Sequence, residues 1–166
     1  IVHGTYTTST ANTWFEVQSS TGQICYYGNT TGARQSYTAG NFPRIYAWYL
    51  DYVEDPLGNY MNYTYNKWSY CMYPNTIMYG NNKNGSTGLQ NTVTFSYETR
   101  SNDPQLFVIE GVKGTMDRRL KTITSKTGNS VYRVYDLQYN TTGDASGTKY
   151  SRLTSVTERN GAGDVM

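Results

Sequence analysis

The sequence predicts an all-β protein: successive antiparallel hairpins forming one or two curved sheets (open sheet, sandwich or partial barrel), with little or no helix. Three observations lead there. First, the 166 residues include 18 Tyr, 3 Trp and 4 Phe but only 16% charged residues, and aromatic and β-branched side chains suit pleated, half-buried surfaces. Second, Gly and Asn punctuate the apolar runs while Pro is scarce. Third, one hairpin frame recurs along the chain. Met116, Leu120 and Ile123 stand at helical spacing, but the Thr-rich continuation argues against a helix there.

The clearest element is the stretch from Trp48 to Tyr65. Asp55-Pro56-Leu57-Gly58 suits a hairpin loop: Asp opens the turn, Pro presets the next φ, and Gly takes the left-handed position after a type I turn. Asp55, Pro56, Gly58 and Asn59 are the structural turn residues of this reading. In the strand that follows, Tyr60, Asn62 and Thr64 face one way, and Met61, Tyr63 and Tyr65 the other.

Taken in order, residues 1–12 are polar and Thr-rich and read as a flexible lead-in. Trp14–Gln18, a turn at Ser19–Gly22 and Gln23–Gly28 form the first hairpin. Residues 29–43 read as a polar loop, and Arg44–Ala47 leads into the second hairpin. Lys67–Tyr73 reads as an aromatic-rich connection and Pro74–Gly80 as a short strand. Residues 81–88 form a loop dense in turn residues. Thr92–Glu98 alternates as a strand does. Residues 100–104 form a loop, and Leu106–Glu110 is a further apolar run. A third hairpin covers Arg119–Ser125, a turn at Lys126–Asn129 and Val131–Tyr139. Residues 140–148 read as a loop, and Ser151–Glu158 as a last strand with its turn at Arg159-Asn160-Gly161. The recurring frame is Leu50-x2-Val53-x4-Gly58, Leu120-x2-Ile123-x4-Gly128 and Leu153-x2-Val156-x4-Gly161. Trp14-x2-Val17-x4-Gly22 fits with Trp in place of Leu. A lone hairpin is marginal in water, so such units must pair or stack.

The length suffices for one domain with a hydrophobic core, spanning 1–166. The chain starts at Ile1 and stops at Met166 just after a turn signal, which suggests a fragment of a much larger protein. No apolar run approaches the ~20 residues that span a membrane as a helix. A formal net charge of +2 without a dense basic stretch gives no reason to expect nucleic acid. Cys25 and Cys71 either form a disulfide or are both buried apolar residues. The one His, His3, lies in the lead-in, so nucleophilic catalysis, a zinc site or any other cofactor is not expected, and His3→Ala should be nearly silent. Asp51, Glu54 and Asp55 are the densest acidic group, yet Asp55 has a sufficient role in its turn, and Asp51 and Glu54 face opposite ways along one strand. The aromatics leave two readings open. They pack between strands, or some of them, with Trp48, Trp68, Tyr70 and Tyr73 as the candidates, contact a glycan or a protein partner.

Five blocks carry a resemblance to a known family. They are Phe15-Glu16-Val17-x4-Gly22-x5-Gly28, then Trp48-Tyr49-Leu50-x2-Val53-x-Asp55-x2-Gly58-Asn59-Tyr60-x2-Tyr63-x-Tyr65, then Ile77-x-Tyr79. Val93-x-Phe95-x-Tyr97-Glu98-x-Arg100 and Arg119-Leu120-Lys121-x-Ile123 follow. In order and separation they resemble the SpvB/TcdB-type amino-terminal region of bacterial toxins, allied to the RHS and YD-repeat superfamily. The resemblance spans about Trp14 to Gly161. It implies a β-rich, non-catalytic structural segment of a large secreted or cell-surface bacterial protein. Its partner would be the remainder of its own polypeptide: further β-repeats, a β-propeller or an enclosed toxin cargo. No transferase motif is present, so no activity carries over. The alternative is a carbohydrate- or protein-binding β-module.

Overall fold

The computed structural model describes residues 1–4, 11–40, 42–85, 90–109, 111–143 and 149–166. Residues 5–10 of the expected lead-in, 86–89 of the expected 81–88 loop, Glu110, and 144–148 of the expected 140–148 loop lie outside the described residues. The protein is all-β with antiparallel ladders in open sheets. The only helix among the described residues is one 3₁₀ turn at Thr31–Ala33. The chain divides into two compact units: Ile1–Asn66 with Met72–Gln90, and Lys67–Cys71 with Asn91–Met166.

The first unit orders its strands β1 (Val2–His3), β2 (Trp14–Gln18), β3 (Ile24–Tyr27), β6 (Leu50–Glu54), β7 (Asn59–Trp68) and β8 (Cys71–Asn82). A separate hairpin pairs β4 (Arg34–Ala39) with β5 (Phe42–Trp48). Two expectations are corrected here. The start of the lead-in is a strand, with Val2 opposite Phe15 and His3 opposite Trp14. The polar loop expected over 29–43 instead contains the whole of β4, whose Arg, Gln, Ser and Thr give no apolar alternation to read. Ala47 opposite Gln35 and Ile45 opposite Ser36 hold it as a strand.

One turn design recurs in this unit. In Asp55–Asn59, the Gly58 N–H donates to the Asp55 carbonyl at 2.9 Å, and the Asp55 N–H to the Asn59 carbonyl at 2.9 Å. Asp55 Oδ1 accepts the Leu57 and Asn59 N–H groups, each at 2.9 Å. Gly58 has φ +83, which costs a Cβ-bearing residue a clash with its own backbone. Ser19–Gln23 repeats the two backbone bonds. The neighbouring turn at the end of β8 locks onto Asp55–Asn59 through Asn82, whose Nδ2 donates to the Leu57 carbonyl and to Asn59 Oδ1, each at 2.9 Å.

The second unit orders β9 (Asn91–Thr99), β12 (Arg118–Thr127), β13 (Ser130–Gly143) and β14 (Lys149–Asn160), with a separate hairpin of β10 (Gln105–Ile109) and β11 (Val112–Met116). The helical spacing of Met116, Leu120 and Ile123 falls across β11 and β12. Residues 140–143 extend β13 rather than loop. The frame's last glycine is also corrected. Gly163, not Gly161, takes the positive φ, at +94, in a turn that Asn160 opens as Asp55 does: Asn160 Oδ1 accepts the Ala162 N–H at 3.0 Å and the Asp164 N–H at 2.9 Å. Lys67–Tyr73 is no connection. β7 runs to Trp68 and β8 starts at Cys71, so Ser69 and Tyr70 alone make the turn, at φ 48 and φ 62.

The expected core does not form a separate layer. Among the described residues, the buried apolar side chains are Ala33, Cys71 and Tyr73. Rings on adjacent strands of the first unit cover one another, as Tyr26, Tyr52 and Tyr60 do, which is the cross-strand pairing that stabilises a sheet, while Leu57, Leu106, Val108, Leu153 and Val156 stand more than half exposed. Cys25 and Cys71 are not joined in a disulfide, and Cys71 is buried while Cys25 is half-buried, so neither cysteine alternative describes the pair.

Candidate functional site

The most organised side-chain array of the first unit is a ladder of rings across five strands. His3 stacks on Trp14 with centroids 4.0 Å apart and planes at 14°. Trp14 and Tyr26 meet edge to face at 5.1 Å. Tyr26 stacks on Tyr52 at 5.1 Å and 19°, and Tyr52 on Tyr60 at 5.5 Å and 25°. Register explains the row: His3 lies opposite Trp14, Glu16 opposite Tyr26, Tyr26 opposite Tyr52, and Glu54 opposite Tyr60. Period-two alternation then puts these rings on one face.

Carboxylates flank the ladder. Glu16 Oε2 lies 3.1 Å from His3 Nε2, and Glu16 Oε1 accepts from Gln18 Nε2 at 2.6 Å. Glu54, buried, accepts the Tyr52 hydroxyl at 2.7 Å and the Lys83 ammonium. Those two donors, Lys83 first, hold the Glu54 carboxyl below its usual range. Burial first, then the bond to Glu54, pushes the Tyr52 hydroxyl well above the ordinary phenol range. On the opposite face, Tyr65 donates to the Leu50 carbonyl at 2.6 Å, and its hydroxyl is pushed up to about 12, mainly by burial.

In the middle of this array the ring faces are used by neighbouring rings. Both faces of Tyr52 are taken by Tyr26 and Tyr60, and Trp14 carries His3 on one face. Stacking a sugar needs an open face. Each member of the acidic trio holds a structural contact, although Asp51 Oδ1 is buried without a hydrogen-bond partner. Asp51 Oδ2 accepts the Thr30 N–H at 2.5 Å and pins the loop after β3, Glu54 holds Lys83 and Tyr52, and Asp55 closes its turn.

Of the four candidate ligand-contact aromatics, Trp48 and Tyr73 belong to the first unit, and Trp68 and Tyr70 to the second. Trp48 lies over Gly28, leaving no room for a Cβ there. It donates from Nε1 to the Thr13 carbonyl at 2.6 Å and meets Phe15 edge to face at 4.9 Å. Tyr73 is 7% exposed. Trp68 and Tyr97 meet edge to face at 5.7 Å, with the guanidinium of Arg118 over the Trp68 ring at 5.3 Å. Of the four, Tyr70 alone is exposed, at 50%.

In the second unit the densest polar node centres on Asp103. Its carboxylate accepts from Arg100 Nη2 at 2.7 Å, the Ser151 N–H at 2.6 Å and Ser151 Oγ at 2.7 Å. Arg119 donates to Ser151 Oγ at 2.8 Å and to Glu98 at 2.7 Å, with its guanidinium over Tyr139. The bonds from Arg100, then Ser151, hold the Asp103 carboxyl far below the usual range. With its oxygens filled this way, Asp103 ties the loop after β9 to β14 and leaves little capacity for proton transfer. A cleft of about 250 Å³ beside it is lined by Arg100, Asn102, Gln105, Lys149 and Tyr150. No group of three His, Cys, Asp or Glu converges as metal ligands among the described residues.

Sequence reasoning missed both the ladder and the Asp103 node. The hairpin turns would have paired Glu16 with Tyr26 and Tyr52 with Asn62. The link between them, β3 on β6, skips the whole β4–β5 hairpin and has no local signal.

No family model matches the sequence, and no curated protein matches it in sequence. In fold, the chain is similar to the N-terminal domain of effector protein SpvB from Salmonella typhimurium strain LT2. The TM-score is 0.68 at 14% identity, over 89% of this chain and 61% of that one. The chain thus spans under two thirds of the structure it resembles, and the likeness is one of fold.

Proposed function

We propose that this chain is a non-catalytic structural β-scaffold segment of a large secreted or cell-surface bacterial protein of the SpvB/RHS-like, toxin-related kind. The observation that carries the reading is the fold it shares with the SpvB N-terminal domain, which extends well beyond the matched part. The side chains agree with it. Asp51, Glu54, Asp55 and Asp103 are all engaged in holding backbone or neighbouring side chains. Half-covered sheet faces with few buried apolar residues suit a segment that rests on further parts of its own polypeptide. No helix among the described residues is long and apolar enough to cross a membrane.

The test is activity of the isolated 166-residue chain against ADP-ribosyl donors and glycosides. The reading expects none. Turnover that a single point substitution abolishes overturns it. A glycan array with tryptophan-fluorescence titration checks the binding-module alternative, for which saturable quenching by a polysaccharide is the required result.

A further inference from the structure

Three features of the second unit converge on the edge of β14. It stands last in the strand order, and Arg152–Val156 are exposed residue after residue. Leu153 and Val156 are each 53% exposed. Although three apart in sequence, they share a face, because a register shift between Gln138 and Tyr139 sets Val156 opposite Leu137 and Leu153 opposite Tyr139. A long edge strand carrying apolar side chains is a template for another strand.

At its C-terminal end this edge is already in use. The Asn160–Asp164 turn reverses the chain, with the Asn160 N–H donating to the Asp164 carbonyl at 3.0 Å. Arg159 and Val165 then form an antiparallel bridge, and the Met166 N–H donates to the Glu158 carbonyl at 3.0 Å. Met166 therefore falls on the face that carries Val156 and Leu153. The Asp55–Asn59 turn starts β7 on β6 in the same way.

We propose that the open edge of β14 accepts an antiparallel strand made by residues that follow Met166 in the longer polypeptide, in the register set by Arg159 opposite Val165. This rests on the scaffold reading above and names the first part of the polypeptide that the segment meets. The added strand carries an apolar side chain at every second position counted from Met166, covering Val156 and then Leu153. Its other face is polar, to match Thr157 and Ser155.

Hydrogen exchange followed by mass spectrometry, on the 166-residue chain and on the full-length protein, tests this. Peptides covering Arg152–Val156 are expected to exchange at least about tenfold more slowly in the full-length protein, because a paired amide exchanges only when its strand opens. Equal exchange in both proteins overturns the proposal, as does a reading frame that stops at Met166. Protection that appears in the 166-residue chain and grows with its concentration also overturns it and assigns the edge to a second copy. Equal exchange, or protection that grows with concentration, bears neither on catalysis nor on the length of the polypeptide, so on either result the proposal fails while the scaffold reading stands.

Discussion

The turn that begins β7 and the turn that ends it are built in opposite ways. Asp55–Asn59 is written locally: Asp accepts the turn's own N–H groups, Pro presets φ, and Gly takes φ +83 without a side chain to clash. Ser69–Tyr70 is a two-residue turn with both residues at positive φ, the geometry that favours Asn-Gly. Neither residue prefers it. Ser69 is held from outside: its carbonyl accepts the Thr115 N–H at 2.9 Å and its hydroxyl donates to Asp117 at 3.2 Å. Where the chain lacks turn chemistry, long-range contacts to β11 and its exit supply the constraint. A strained turn persists only when its surroundings over-determine it.

The largest expected effect concerns another long-range clamp. Asp103→Ala removes the carboxylate that joins Arg100 to Ser151 and leaves a mostly buried guanidinium without it. We expect a loss of about 3 kcal/mol in urea unfolding, at the lower end of what breaking a buried pair costs. The same clamp sets an acid limit. The Asp103, Glu98 and Glu54 carboxyls are held below their usual values, Glu98 by Lys121 and then Arg119. Their contribution is therefore fully present above the unfolded carboxylate pKa of about 4 and is lost as pH falls below it. Acid unfolding followed by circular dichroism should show this loss, and Asp103→Ala should flatten it.

Gly58→Val comes next, with an expected loss of about 2 kcal/mol in thermal and urea melts. The positive φ is one cause. The other is crowding: a Cβ at Gly58 would lie 3.0 Å from Asn84 Nδ2 and 3.1 Å from Lys83 Cγ. Replacing Ser69-Tyr70 with Asn-Gly should act in the opposite direction, gaining about 1 kcal/mol because the turn is then one its residues prefer. The smallest effect is His3→Ala. The sequence alone makes it silent, but the stack on Trp14 and the contact with Glu16 imply a loss of about 0.5 kcal/mol. A melt indistinguishable from the parent would show that the first rung of the ladder contributes nothing.

The legible parts of the fold were those coded by neighbours in sequence. The strands around Asp55–Gly58 could be read because Asp, Pro and Gly act within a few residues, and β9 because its alternation is clean. β4 and β11 could not. β4 is polar, and β11 carries Gly114 in its middle, where the Phe107 ring occupies the space a Cβ would fill. Gly161 was mistaken for the turn glycine because Asn160-Gly161 reads as a turn by itself. The candidate site was less legible still. An aromatic load was evident, but which rings meet depends on the pairing of β3 with β6, and whether a ring offers a face or an edge depends on its neighbours. For the same reason the ring contacts of Trp48 and Trp68 and the burial of Tyr73 have no signal in the chain.

A double-mutant cycle on the second turn of β7 tests the contrast most directly. Asp117→Ala is measured by urea unfolding in the parent and in the Ser69→Asn, Tyr70→Gly background. If the contacts outside the turn hold its strained backbone, the substitution costs at least about 1 kcal/mol in the parent and clearly less where Asn-Gly satisfies the turn unaided. Equal cost in both backgrounds would show that Asp117 does not hold the turn and would contradict the account.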